Sequence, residues 1–135
     1  LKGPAAEHGF ACPDGLAFDA RGVLWIQTDM SADAMRTPDF ARFGSNQILA
    51  VDPRTGETRR FLTGPCNAEI TGLCFAPDGR TLFVNVQHPG ESLKELPNDP
   101  RRPDAFSSWP AGKPGARPRS ATLAIRRRDG GVIGS

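Results

Sequence analysis

Two stretches of the chain show the same order of apolar and polar positions. Residues 15–18 (GLAF) lead through a polar turn into an apolar run at 23–28, and residues 72–75 (GLCF) lead in the same way into a run at 82–86. Short apolar runs bounded by Gly, Pro and Asp predict β-strands. The second stretch repeats the first 57 residues later, a spacing that suggests propeller blades or a solenoid.

The complete pattern predicts two four-stranded antiparallel meanders, and a meander of this kind is the plan of a propeller blade. Asp-Gly and Gly-Gly pairs between the runs supply the positive φ angles that tight hairpins need. The predicted strands are 16–18, 23–28, 47–51 and 57–62 in the first unit, and 71–75, 82–86, 121–126 and 132–133 in the second.

The predicted fold class is therefore all-β, with blade one at about 13–63 and blade two at about 69–135. Each blade carries an insertion between its second and third strands. The first insertion, 30–45, has a possible short helix over 32–43 that Pro38 interrupts. The second, 90–119, is rich in Pro and Gly, and is either a surface loop or disordered span, or an ordered lid near a site.

Propellers close with roughly four to eight blades, so two blades leave a ring incomplete. Either residues 1–135 are the C-terminal part of a larger protein, or several copies assemble the ring. Sheet faces that a ring would cover favour association, so we expect the isolated chain to self-associate, with three copies as one arrangement.

The net charge, the apolar content and the number of cysteines each argue against a class of protein. The 17 basic and 15 acidic residues give a net charge of +2, so the sequence does not predict nucleic-acid binding. No apolar run approaches the ~18 residues of a membrane span. Three cysteines cannot form a complete intrachain disulfide set. We expect Cys74 to be a small buried residue in a strand, and Cys12 and Cys66 to be structural thiols.

Candidate chemistry lies at the strand ends. Asp14 and Glu69 each come just before the predicted first strand of a blade, where a propeller opens into its channel, and Asp29 follows the second strand. Carboxylates brought together there repel unless a cation neutralises them, and oxygen ligands suit Ca²⁺, with iron or manganese as alternatives. The structural alternatives are a turn former at Asp14, a solvated charge at Glu69 and a turn cap at Asp29.

His88 and Glu91 flank a Pro-Gly pair directly after the apolar run 82–86. They either contact a phosphate or hold a corner of the chain together. The sequence contains no nucleophile elbow, P-loop or dinucleotide-binding fingerprint. An enzyme containing this chain would therefore receive part of a metal site from it, with no complete catalytic set.

Several segments together resemble the C-terminal part of the PhoX-type alkaline phosphatases, and the likeness runs from about residue 10 to residue 134. Residues 24–29 (LWIQTD) and 87–91 (QHPGE) are the most specific. The other matching segments are 12–15 (CPDG), 46–47 (NQ), 59–65 (RRFLTGP), 69–72 (EITG), 77–86 (PDGRTLFVNV) and 119–122 (RSAT).

The resemblance implies a secreted or periplasmic bacterial phosphomonoesterase, exported through the twin-arginine route. It implies a six-bladed propeller with an iron–calcium cluster in its channel, where the phosphate of a small phosphomonoester bridges the metals. By position, Glu69 and Asp14 would be Ca²⁺ ligands and Asp29 a further candidate, while the Fe³⁺ ligands would lie mostly outside this chain.

The chain also departs from the family pattern. The N-terminal blades are absent, so we expect the isolated fragment to lack phosphatase activity. Two alternatives remain open: a non-catalytic propeller module that binds a metal or a protein, and a calcium-dependent lactonase or esterase propeller.

Overall fold

Most of the regular secondary structure in the described residues is β-strand, and the strands form two antiparallel sheets. The structure is a computed structural model that describes residues 9–135; the start of the predicted domain, residues 1–8, lies outside the described residues. The strands are β1 (Pro13–Phe18), β2 (Leu24–Thr28), β3 (Gln47–Val51), β4 (Thr58–Thr63), β5 (Glu69–Phe75), β6 (Thr81–Gln87) and β7 (Ala121–Arg126). Their spatial order, β1-β2-β3-β4 and β5-β6-β7, is that of two meanders, which confirms the all-β fold class.

The second sheet has three strands, so the predicted fourth strand at 132–133 is wrong. Ile133 donates its backbone N–H to the carbonyl oxygen of Gly79 at 2.9 Å, in the turn between β5 and β6. Its side chain is buried in the core. Residues 132–133 are therefore apolar because they belong to a turn that covers the end of the sheet. Their backbone bonds to Gly79 and does not pair with β7.

The core lies between the two sheets, which stack face to face. Trp25 of the first sheet is fully buried and packs edge-on against Phe61 and Phe75, with ring centroids 5.0 and 5.3 Å apart. Phe75 belongs to the second sheet, so the indole ring joins the two units. The other buried members of this core are Ile48, Ala68, Ile70, Leu82, Val84, Val86 and Ile133. Apolar packing of one sheet on the next is what neighbouring propeller blades share.

Strand alternation corrects the expectation for Cys74. Successive side chains of a strand point to opposite faces, so Leu73 and Phe75 both pack against the core. Cys74 lies between them and pairs with Phe83, on the face away from the core. Its thiol is therefore exposed, as are those of Cys12 and Cys66.

The two insertions differ in structure. In the first, one turn of 3₁₀ helix (Ala34–Arg36) is followed by the short helix α1 (Pro38–Ala41). Pro38 begins α1, where its missing N–H is not needed, so the expected helix is divided at this residue. The second insertion contains no helix or strand among the described residues, but Trp109 within it packs against the core.

The turn between β1 and β2 is organised by the carboxylate of Asp19. The side chain is 7% exposed and receives hydrogen bonds from the backbone N–H groups of Arg21 and Val23, at 2.9 and 3.1 Å. Arg21 Nη2 and the indole Nε1 of Trp25 also donate to it, at 2.8 and 3.2 Å. Burial by itself would raise the pKa of Asp19, but these donors together hold it below its ordinary value.

We expect Asp19→Asn to destabilise the chain by about 1–3 kcal/mol at pH 7, because it removes a charged acceptor from four donors. A carboxyl whose pKa is lowered on folding stabilises above its unfolded value of 3.8 and loses that contribution as the pH falls through the folded pKa. Urea unfolding at pH 7, 5 and 3 should therefore show a gap between the two proteins that narrows below about pH 4. A gap of constant size would contradict this account of the turn.

Candidate functional site

Glu69 is the first residue of β5 and lies opposite Gln87 of β6. Its side chain is 13% exposed, and its Oε2 accepts a hydrogen bond from Gln87 Nε2 at 2.7 Å. His88 Nε2 lies 3.3 Å from the same oxygen. Glu69 is therefore a largely buried carboxylate with a fixed orientation at the end of the second sheet, and the alternative of a solvated loop charge is wrong.

The chain turns sharply at residues 88–91, next to Glu69. The N–H groups of Gly90 and Glu91 donate to the carbonyl oxygens of Cys66 and Asn67, at 2.9 and 3.1 Å. Asn67 Nδ2 returns a hydrogen bond to the Glu91 carbonyl at 2.7 Å. The corner is therefore bonded through its backbone to the loop that precedes Glu69.

Asp14 and Asp29 lie together at one end of the first sheet. Asp14 is the second residue of β1 and sits in a bulge, where the pairing with β2 shifts between Pro13 and Gly15. Asp29 directly follows β2, and its N–H donates to the carbonyl oxygen of Cys12 at 3.0 Å. Both side chains are exposed. Asp14 is therefore inside a strand, and not just before one as its position in the sequence predicted.

The two carboxylates Asp14 and Glu69 do not occupy equivalent places in the repeat. The 57-residue spacing that relates Gly15 to Gly72 relates Cys12 to Glu69. The backbone agrees. Cys12 accepts a hydrogen bond from the N–H of Asp29 just beyond the ends of β1 and β2, and Glu69 pairs with Gln87 at the corresponding ends of β5 and β6. Because Asp14 and Glu69 are not equivalent in the repeat, the repeat does not support a metal site shared by them. The role of each carboxylate stays a prediction.

Across residues 9–135, no three His, Cys, Asp or Glu side chains are grouped so that they could hold a metal ion. Glu69, Asp14 and Asp29 therefore do not make a complete metal site on their own. Their oxygen atoms are the ligands that calcium prefers. A site that used them would need further ligands from elsewhere.

Asn46 is a structural residue of the site region, and no sequence pattern predicted its role. It is completely buried and uses both ends of its amide. Its Oδ1 accepts hydrogen bonds from Thr28 Oγ1 and the Met30 N–H, at 3.0 and 2.6 Å. Its Nδ2 donates to the carbonyl oxygens of Met30 and Ala68, at 3.0 and 2.9 Å. Since Ala68 precedes Glu69, Asn46 connects the end of β2 to the start of β5.

Arg36 connects the first insertion to the same loop. Its Nη1 donates to Asn67 Oδ1 at 3.1 Å and to the Ala32 carbonyl at 3.3 Å. Asn67 in turn binds the corner at Glu91. Hydrogen bonds through Asn67 therefore link three segments next to Glu69: the first insertion, the loop before β5 and the corner after β6.

Two stacked antiparallel meanders define the fold as that of propeller blades. Residues 1–90 match the profile of the family described as Alkaline phosphatase PhoX. The chain belongs to this family, as its sequence resemblance indicated.

Two known proteins are similar to the chain. One is the structure of Pseudomonas fluorescens PhoX in complex with vanadate, a transition state analogue; it is 47% identical, with a TM-score of 0.75 over 90% of this chain and 19% of that one. The other is Regucalcin from Danio rerio, 27% identical over 111 residues, which are 82% of this chain and 32% of that protein. The chain thus spans about a fifth of the PhoX structure and a third of the Regucalcin sequence.

Proposed function

We propose that the chain is the C-terminal part of a larger propeller enzyme that hydrolyses phosphomonoesters. The observation that carries the proposal is the 47% identity to PhoX over 90% of the chain, with a TM-score of 0.75. That PhoX was solved with vanadate, a transition state analogue. The family membership of residues 1–90 supports the same reaction class.

We further propose that Glu69 and Asp14 bind calcium in a shared metal centre, that Asp29 is an additional ligand, and that an Fe³⁺ in the same centre takes most of its ligands from outside this chain. Bound metals would act as Lewis acids on phosphoryl oxygens and would lower the pKa of a water molecule. In this chain, Gln87 and His88 hold the Glu69 carboxylate in one orientation. Neighbours of this kind orient metal ligands and raise metal affinity.

The proposed location of the enzyme is the periplasm or the exterior of a bacterial cell, as the family resemblance implies. Among residues 9–135, no helix has both the length and the apolar character that crossing a membrane would require. Fractionation of cells that express the complete polypeptide, with a cytoplasmic marker enzyme as the control, would test the location. Activity confined to the cytoplasmic fraction would contradict it.

Hydrolysis by the complete polypeptide in which this sequence occurs tests the proposed function. We expect turnover of p-nitrophenyl phosphate and no comparable turnover of a simple lactone, both in the presence of calcium and iron. Turnover of the lactone alone would favour the lactonase or esterase alternative. Metal binding without turnover of either compound would favour the non-catalytic alternative.

We also propose that the isolated chain self-associates through the outer faces of its sheets. Leu16 and Phe18 of β1 are 65% and 66% exposed, and Phe83 of β6 is 40% exposed. Light scattering at high concentration should give a mass above that of one chain, and Phe18→Ser should reduce it. Leu96→Ser is the matched control, because Leu96 is 57% exposed but lies in the second insertion. A monomeric wild-type chain would contradict the proposal.

A further inference from the structure

A cleft of about 350 Å³ lies beside His88, between the corner at 88–91 and the second insertion. This volume is within the range of small-molecule sites. Prolines from both segments form much of its wall, and the polar residues there are His88, Glu91, Ser92, Asn98, Asp99 and Arg117. His88 also contacts Glu69, at 3.3 Å, so the cleft adjoins the candidate metal ligand.

The walls of the cleft are held in place by close packing. Gly90 has a φ of +76°, and a Cβ atom there would lie 3.1 Å from Ser107 Cβ and 3.3 Å from Pro118 Cγ. The second insertion therefore approaches the corner as closely as a residue without a side chain permits. Because the corner is also bonded to Cys66 and Asn67, both walls are fixed relative to Glu69.

The chemistry of the walls suits a neutral molecule with several hydroxyl groups. Asp99 is ionised, since the hydrogen bond from Arg101, at 3.0 Å, lowers the pKa of its carboxyl. Carboxylates and the Asn98 amide accept hydrogen bonds from hydroxyl groups. The negative charge of Asp99 is paired with Arg101. The negative charge of Glu91 and the positive charge of Arg117 add up to zero. The cleft therefore has no excess positive charge with which to hold a second phosphate.

We propose that this cleft binds the alcohol part of the phosphomonoester and favours a neutral ring with several hydroxyl groups, such as a sugar. The proline rings offer flat C–H surfaces on which such a ring packs, while the carboxylates and the Asn98 amide oxygen accept hydrogen bonds from its hydroxyl groups. The inference rests on the phosphatase function proposed above. It adds the substrate class and a set of specificity-determining residues in the second insertion.

The test compares two substrates that share a phosphate and differ in the alcohol. In the complete polypeptide, Asn98→Trp would fill the cleft, and Glu95→Trp is the matched control, because Glu95 is exposed in the same insertion but does not line the cleft. We expect Asn98→Trp to lower kcat/KM for glucose 6-phosphate about tenfold and that for ethyl phosphate by less than about twofold. Glu95→Trp should leave both values unchanged.

The possible outcomes separate this inference from the proposed function. Partial and parallel changes for both substrates in Asn98→Trp, or no change in either, would overturn the inference and leave the phosphatase function intact. If Asn98→Trp abolishes both activities, Asn98→Ala decides the matter: a selective loss for glucose 6-phosphate supports the inference, and a parallel loss or no change overturns it. Failure of the unsubstituted polypeptide to hydrolyse either ester would overturn the phosphatase function and the inference together.

Discussion

Glu69→Gln is expected to lower phosphomonoester turnover by the complete polypeptide by at least ~100-fold, which corresponds to about 3 kcal/mol of transition-state stabilisation. The substitution keeps the size of the side chain and an oxygen that can accept from Gln87. It removes the negative charge with which a carboxylate ligand neutralises a bound cation. The loss should therefore appear in kcat/KM without a comparable loss of folding stability.

The control for this experiment is Glu57→Gln, because Glu57 is an exposed glutamate that forms a surface ion pair with Arg59, at 2.6 Å. It should retain full activity, since exposed ion pairs contribute little. Equal activities of Glu69→Gln, Glu57→Gln and the unsubstituted protein would show that Glu69 has no part in catalysis. Unfolding curves of all three would reveal any loss caused by misfolding.

Asn46→Ala is expected to destabilise the chain by about 3–5 kcal/mol, an exceptional value for one substitution. The side chain satisfies four buried partners: Thr28 Oγ1, the N–H and carbonyl groups of Met30, and the Ala68 carbonyl. Each partner left unsatisfied costs about 1–3 kcal/mol, although relaxation and entering water reduce the sum. Urea unfolding monitored by tryptophan fluorescence would measure the effect.

Two further variants define what Asn46 contributes. Asn98→Ala is the matched control at an exposed asparagine and should change the stability by less than about 0.5 kcal/mol. Asn46→Asp keeps an acceptor for Met30 and Thr28 but loses both amide donors and buries a charge, so it should be at least as harmful as Asn46→Ala. Similar stabilities for Asn46→Ala and Asn98→Ala would contradict the role assigned to this network.

The strands were the most predictable part of the fold. The sequence predicted 47–51 and 121–126 with the bounds that β3 and β7 have, because turn residues mark both ends of these apolar runs. The prediction failed for 132–133, since a short apolar pair has no feature that separates a strand from a buried turn. It also failed for Cys74, because a run such as GLCF is apolar throughout and does not reveal which residues face the core.

The candidate site was predictable only as a set of isolated carboxylates. The sequence singled out Glu69 and His88, but their contact depends on the register of β5 with β6, which a bulge between Thr71 and Cys74 shifts. The position of Asp14 depends in the same way on a bulge in β1. Asn46 is visible in the sequence as a polar residue before an apolar strand, yet only the packing of two sheets shows that it is buried.

The central claim, that Glu69 is a ligand of a shared metal centre, is tested most directly by calcium content. Elemental analysis of the complete polypeptide should find bound calcium in the unsubstituted protein and in Glu57→Gln, and less calcium in Glu69→Gln. That result would assign Glu69 to the metal centre. Equal calcium in all three proteins, or none in any of them, would contradict the account.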